Sequence, residues 1–190
     1  MKRRRDVFRP VYPTPAALIT CCDTDGRPNI ITLGEVYMLC LEPLTIGISV
    51  RPERHSHRLI SETGEFVVNL PTAEIAAEVD YCGIRSGADV DKFADTGLTP
   101  EPAAEVRPPL IAECPVSIEC RVRDTLSLGS HDVFVGLAVA THAEDWALDE
   151  QGQLDPVRAR AIGFVGRGYW RFAEKVDRAF APRTFPRPKE

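Results

Sequence analysis

The sequence predicts a mainly β protein whose strands close into a barrel or sandwich, and three observations carry that expectation. Short apolar or alternating runs, each bounded by turn residues, recur from residue 16 to residue 170. Only two helix signals interrupt them, and both are short. Strands and helices do not alternate regularly, which argues against a doubly wound nucleotide-binding sheet.

The elements follow in order. Residues 16–22 are an apolar run that ends in Asp23-Thr24-Asp25-Gly26, a turn signal in which Gly26 can take a positive φ. The next run starts near Asn29 and carries Ile30, Ile31, Thr32, Val36 and Tyr37; with the first it predicts a hairpin. Residues 44–50 and 66–70 predict a third and a fourth strand. Between them a helix is expected from about 56 to 63, with Ser56 as N-cap and Gly64 as stop. A second helix is expected after Pro71-Thr72, with Thr72 as N-cap and Gly83 as stop. Val116, Ile118, Cys120 and Val122 alternate with Ser117, Glu119 and Arg121, predicting a strand that buries one face. Residues 133–140 are apolar on both faces and predict a central strand, and residues 161–170 a last one, with glycines at 163, 166 and 168. Residues 1–10 and 182–190 are expected to be irregular arms of one domain spanning 1–190.

Composition narrows the function classes. The 190 residues are 44% hydrophobic, enough for a packed core. The net charge of −5 removes a bulk basic footprint for nucleic acid, and the single basic run, Lys2-Arg3-Arg4-Arg5, precedes no apolar stretch of signal length. No run of 18 apolar residues occurs, so the expectation is a cytoplasmic protein without a membrane or nucleic-acid partner. The six cysteines form no C-x-x-C pair and sit among apolar neighbours, so they are expected to be reduced packing residues.

Four stretches offer chemistry. In Ser49-Val50-Arg51-Pro52-Glu53-Arg54-His55-Ser56-His57-Arg58, a strand ends, two arginines follow and a helix starts. Free N–H groups at a helix start and guanidinium forks both suit phosphate, and a solvated basic turn fits the same residues. His55 and His57 lack a nearby Cys or carboxylate ligand, so no metal is expected. In Asn29-Ile30-Ile31-Thr32-Leu33-Gly34, polar residues inside an apolar run suit a ligand edge, and Gly34 permits close backbone approach. Residues 86–93 are a polar Gly loop, and His131 leads into the central strand. The chain has no dinucleotide fingerprint, P-loop, nucleophile elbow or zinc-protease helix. A phosphate-ready loop without acid–base machinery suggests chemistry supplied by a cofactor.

The order of these pieces resembles the flavin reductase-like, FMN-binding split-barrel family, which holds flavoredoxin and the small reductase components of two-component monooxygenases. The matching segments are Tyr12-Pro13-Thr14-Pro15-Ala16-Ala17-Leu18-Ile19, Asp25-Gly26-Arg27-Pro28-Asn29-Ile30-Ile31-Thr32, Leu44-Thr45-Ile46-Gly47-Ile48-Ser49-Val50-Arg51, Glu62-Thr63-Gly64-Glu65-Phe66-Val67-Val68-Asn69-Leu70-Pro71, Asp91-Lys92-Phe93 with Gly97-Leu98, and Gly129-Ser130-His131-Asp132-Val133-Phe134-Val135-Gly136. The resemblance implies a six-stranded Greek-key split barrel, a homodimer with FMN near the subunit interface, and hydride transfer from NADH or NADPH as a transient co-substrate. The alternative it implies is a flavoredoxin-type electron carrier whose FMN is reduced by a partner; a monooxygenase or other redox partner would take the electrons. It places Asn29, Ile30, Ile31, Thr32, Leu33 and Gly34 along the flavin ring, and Ser49, Val50, Arg51, Arg54 and Ser56 around the phosphate. A loop with Tyr81, Cys82 and Gly83 and the segment at Lys92 would neighbour the flavin, and His131 matches a His of the reductase branch. Gly34-Glu35-Val36 departs from the small or aromatic residues of many relatives at the ring edge.

Overall fold

The computed structural model describes residues 2–4, 6–7 and 11–175. Its strands are β1 (Thr14–Pro15), β2 (Ala17–Cys22), β3 (Pro28–Leu33), β4 (Val36–Leu41), β5 (Leu44–Val50), β6 (Glu65–Leu70), β7 (Pro100–Glu101), β8 (Leu110–Ile111), β9 (Val116–Ser127), β10 (Asp132–Ala143), β11 (Ile162–Val165) and β12 (Gly168–Arg171). Its α-helices are α1 (His55–Thr63), α2 (Ala76–Ile84) and α3 (Lys92–Thr96). Seven antiparallel strands form the main sheet in the order β3-β2-β6-β9-β10-β5-β4, one more than the family resemblance implies.

Connectivity forces this sheet to curl. Its two edge strands, β3 and β4, are separated by only Gly34 and Glu35. Laid flat, seven strands would hold their edges about 29 Å apart, while three Cα steps reach at most about 11 Å. The edges are therefore brought together at Gly34-Glu35, and Ser49 N–H bonds the Glu35 carbonyl at 3.0 Å, extending the β4–β5 ladder up to that connection. Inside, Ile19, Cys21, Ile31, Leu33, Ile46, Ile48, Val50, Phe66, Val68, Cys120 and Phe134 share one core, with Leu59 and Ile60 of α1 closing it. The barrel shape is thus dictated by a short connection and filled by one inward residue in two from each strand.

Strand β2 is buried along all six residues because it is covered twice. Ala17, Ile19 and Cys21 face the barrel. Leu18 faces an outer cluster with Ile30, Val79, Cys82, Phe93, Ile111, Cys114 and Ile162, which docks α2, α3 and the β11–β12 hairpin onto the β2–β3 surface. The candidate site lies on this side. Among the described residues, no helix is long and apolar enough to cross a membrane.

Several local expectations change. The run from 29 to 37 does not make one arm of a hairpin: β2 pairs with β3, but Val36 and Tyr37 open β4 and pair with β5. Ser56 is not the α1 cap. The helix begins one residue earlier, with Arg54 at the N-cap position, and Ser56 shares the buried stripe of Leu59 and Ile60. Thr72 precedes a 3-10 turn (Ala73–Ile75) without a side-chain cap, and Gly83 lies inside α2, which stops at Arg85. Strand β9 does not bury only its apolar face: Ser117 and Glu119 are buried too. Residues 161–170 are two strands, β11 and β12, turned at Gly166 with φ 65°. Gly26 and Gly64 do take the positive φ their turns require, 86° and 69°. The expected 182–190 arm lies outside the described residues, as does part of the 1–10 arm.

Candidate functional site

Two cavities adjoin at the β3–α2 junction. The larger, about 310 Å³, is bounded by Thr32, Leu33 and Gly34 of β3 and its end, Asp80 and Ile84 of α2, Glu35, and Phe164 and Tyr169 of the β11–β12 hairpin. The smaller, about 140 Å³, is bounded by Ile31, by Glu53, Arg54, His55 and Ser56 at the start of α1, by Arg85, Ser86 and Gly87 after α2, and by Lys92. Gly83 borders both. A Cβ there would stand 3.3 Å from the Thr32 Cβ, so glycine keeps the junction open. Thr32 also donates its hydroxyl to the Val79 carbonyl, which fixes α2 against β3.

The larger cavity is slot-like in its chemistry. Phe164 and Tyr169 pack with ring centres 5.8 Å apart. Gly34 brings backbone close to that wall, since a Cβ would lie 3.3 Å from Phe164. Tyr169 donates to Asp80 at 3.3 Å; burial first, then the Asp80 charge, pushes its hydroxyl up to about 12, so it remains a neutral hydrogen-bonding group. One aromatic wall, from Phe164 and Tyr169, faces a lining in which Thr32, Glu35 and Asp80 are polar, a mixture that suits a flat, partly polar ring.

The smaller cavity is cationic. Arg54 and Arg85 approach it from opposite segments, and Lys92 forms its buried end, 4% exposed. The Lys92 ammonium donates to the carbonyls of Ile30 and Cys82, each at 2.7 Å. An ammonium has three donors, so one N–H remains. Burial lowers the Lys92 pKa from 10.5, against the pull of neighbouring Cys82 and Cys21. The start of α1 adds unpaired backbone N–H groups and the positive end of its dipole. This donor set fits a phosphate.

The residues expected at the site divide into three groups. Ile31, Arg54, Ser56 and Lys92 line the smaller cavity, Thr32, Leu33 and Gly34 the larger, and Gly83 both. Asn29 and Ile30 stand behind them: Asn29 bonds Ser56, and the Ile30 carbonyl receives Lys92. The rest lie elsewhere. Ser49 N–H extends the β4–β5 ladder to Glu35, Val50 is fully buried in the barrel core, and Arg51 pairs with Glu53 at 3.1 Å. Tyr81 and Cys82 belong to α2 rather than to a loop; Tyr81 donates to Asp95 at 2.5 Å, and the Cys82 thiol is buried in the outer cluster. His131 meets Ser130 at 2.9 Å before β10 and lines neither cavity. His57 turns from the site to Asp132 at 2.8 Å, unlike His55. Sequence reasoning missed Asp80, Ile84, Arg85, Phe164 and Tyr169. Arg85 beside the Ser86-Gly87 turn was the one local signal available.

A curled antiparallel sheet with a cleft that joins an aromatic-walled and a cationic chamber is the architecture of the split-barrel class. The chain belongs to the flavin reductase like domain family, which matches residues 8–158. Its structure is similar to that of flavoredoxin of Desulfovibrio vulgaris (Miyazaki F), with a TM-score of 0.89 and 32% identity, covering 95% of this chain and 98% of that one. It is also similar to an FMN-binding protein from Thermus thermophilus, TM-score 0.81 and 26% identity, covering 96% and 97%. In sequence it is 27% identical over 135 residues to a flavin reductase (NADH) of Kitasatospora aureofaciens, covering 67% of this chain and 65% of that protein.

Proposed function

We propose that this protein binds FMN and acts as an NAD(P)H-dependent flavin reductase. The observation that carries the reading is the joined pair of cavities, one aromatic-walled and one cationic, meeting at Gly83. In it, Thr32, Leu33, Gly34, Phe164 and Tyr169 would hold the isoalloxazine, and Arg54, Ser56, Arg85 and Lys92 the phosphate. Bound flavin would supply the acceptor for a hydride from NADH or NADPH. The chain's own part is to orient that ring between β3 and the β11–β12 hairpin and to neutralise the phosphate. Lys92 adds a fixed positive charge that needs no rearrangement when an anion arrives. A sulfur nucleophile has no part: burial raises Cys82 to about 11 and Cys21 to about 12, so both stay as thiols at neutral pH.

The likeness to flavoredoxin over 95% of the chain favours a second reading, an electron carrier whose FMN is reduced by another protein. FMN titration followed by anaerobic NADH or NADPH separates the two. Bleaching of the flavin band by a nicotinamide nucleotide is the expected result. FMN that binds but is bleached only by dithionite makes the protein a carrier. Absence of a spectral change and of a thermal shift on adding FMN overturns both.

We also propose a homodimer. Edge strand β4 exposes Tyr37, Met38, Leu39 and Leu41 by 41 to 73%, an apolar edge that isolated barrels avoid. A monomeric mass by light scattering at micromolar concentration, with FMN bound, overturns this.

A further inference from the structure

We infer that Asn29 is a positioning residue of the phosphate chamber, acting through Ser56 rather than touching the cofactor; this rests on the proposed FMN reading. Asn29 is 6% exposed and lines neither cavity, although its strand neighbours Ile31 and Thr32 do. Its Nδ2 donates to Ser56 Oγ at 2.8 Å, bridging β3 to the first turn of α1. Ser56 is 2% exposed and borders the cationic cavity.

The hydrogen-bond arithmetic sets the direction. A serine hydroxyl has one donor. With Asn29 donating into its oxygen, Ser56 must give its own proton to something else. The nearby Cys21 sulfur stays a thiol and accepts weakly. A phosphate oxygen in the cavity is the stronger acceptor, and the bond to it would be charge-assisted.

The amide is locked from its other side. A Cβ on Gly87 would sit 1.9 Å from Asn29 Oδ1, so the Ser86-Gly87 turn packs directly on the amide where only glycine fits. The loop that brings Ser86 and Arg85 to the cavity therefore also holds Asn29 against Ser56. Asn29 joins three segments, β3, α1 and the α2–α3 loop, behind one donor.

A double-mutant cycle on ligand affinity tests this in the full chain, with FMN and riboflavin titrated side by side. Ser56→Ala is expected to weaken FMN about tenfold, the size of a lost charge-assisted bond, and to leave riboflavin within about twofold. Asn29→Ala and Asn29→Leu are each expected to weaken FMN by up to that factor, and to have no further effect in the Ser56→Ala background. Melting curves identify any variant that is not folded, and two substitutions at Asn29 keep one usable. If the Asn29 effect persists in the Ser56→Ala background, or strikes riboflavin equally, Asn29 acts on the ring or on folding and the inference falls alone. If wild-type protein binds riboflavin as tightly as FMN, or neither, the phosphate reading falls and takes the inference with it.

Discussion

Two charged side chains are buried among the described residues, Glu119 on β9 and Lys92 at the start of α3, and they are finished differently. Glu119 is fully buried, and its two oxygens accept from the N–H groups of Ala104, Glu105 and Val106 at 2.7–3.0 Å and from His142 at 2.6 Å. Every acceptor direction of the carboxylate is used by the chain itself. Lys92 is nearly as buried, yet only two of its three donors meet carbonyls, and it borders a cavity with Arg54 and Arg85. A buried charge with a complete protein shell has no capacity left for a ligand; one with a donor left at a cavity has that capacity. Glu119 pins residues 104–106 to the outside of the barrel. Lys92 ties β3 to α2 beside the cationic cavity proposed for the phosphate.

The largest expected effect breaks the complete shell. Glu119→Ala leaves three loop N–H groups without their acceptor and should destabilise by about 3 kcal/mol or more, a fall in melting temperature on the order of 10 °C. FMN affinity of the folded fraction should not change. Acid should imitate the mutation. Burial alone would raise the Glu119 pKa, but the Ala104 N–H, His142 and the N–H groups of Glu105 and Val106 outweigh it and hold it below 4.5. A depressed carboxylate stabilises above its unfolded pKa, and that contribution disappears as pH falls from about 4.5 through the lower folded value. Glu119→Gln should flatten this acid limb in melting curves; an unchanged limb would place the acid sensitivity elsewhere.

The next effect falls on the incomplete shell. Lys92→Met should weaken FMN about 10- to 100-fold and riboflavin far less. Equal losses would make Lys92 another structural charge, like Glu119, and dissolve the contrast. Since burial lowers the Lys92 pKa, FMN affinity should decline in alkaline buffer below 10.5 as the ammonium loses its proton.

The smallest effects separate the arginines. Arg54 lines the chamber but is exposed, so solvent screens it, and Arg54→Ala should cost FMN roughly three- to tenfold. Arg51 spends its guanidinium on Glu53, and Arg51→Ala should stay within about twofold. Titrations of both variants with FMN check the order; a larger loss for Arg51 would mean that the loop closes differently around the ligand.

The sequence by itself determined the locally encoded features: the β-rich class, the bounds of Leu44–Val50, the turns at Gly26 and Gly64, and the strand-to-helix stretch whose Arg54 and Ser56 border one cavity. Alternation, turn residues and glycine φ are properties of a few neighbouring residues, so they can be read one segment at a time. Only the tertiary structure decided what depends on segments far apart in the chain. It put β3 and β4 on opposite edges and joined them by curling the sheet. It covered β9 with residues 104–106, so that Glu119, polar by its alternation, became buried. It turned Ser56 from the helix end toward Asn29, and it brought Arg85 across from Arg54. Burial and charge convergence are properties of the packed whole, because a side chain's solvent and partners are set by whichever distant element covers it.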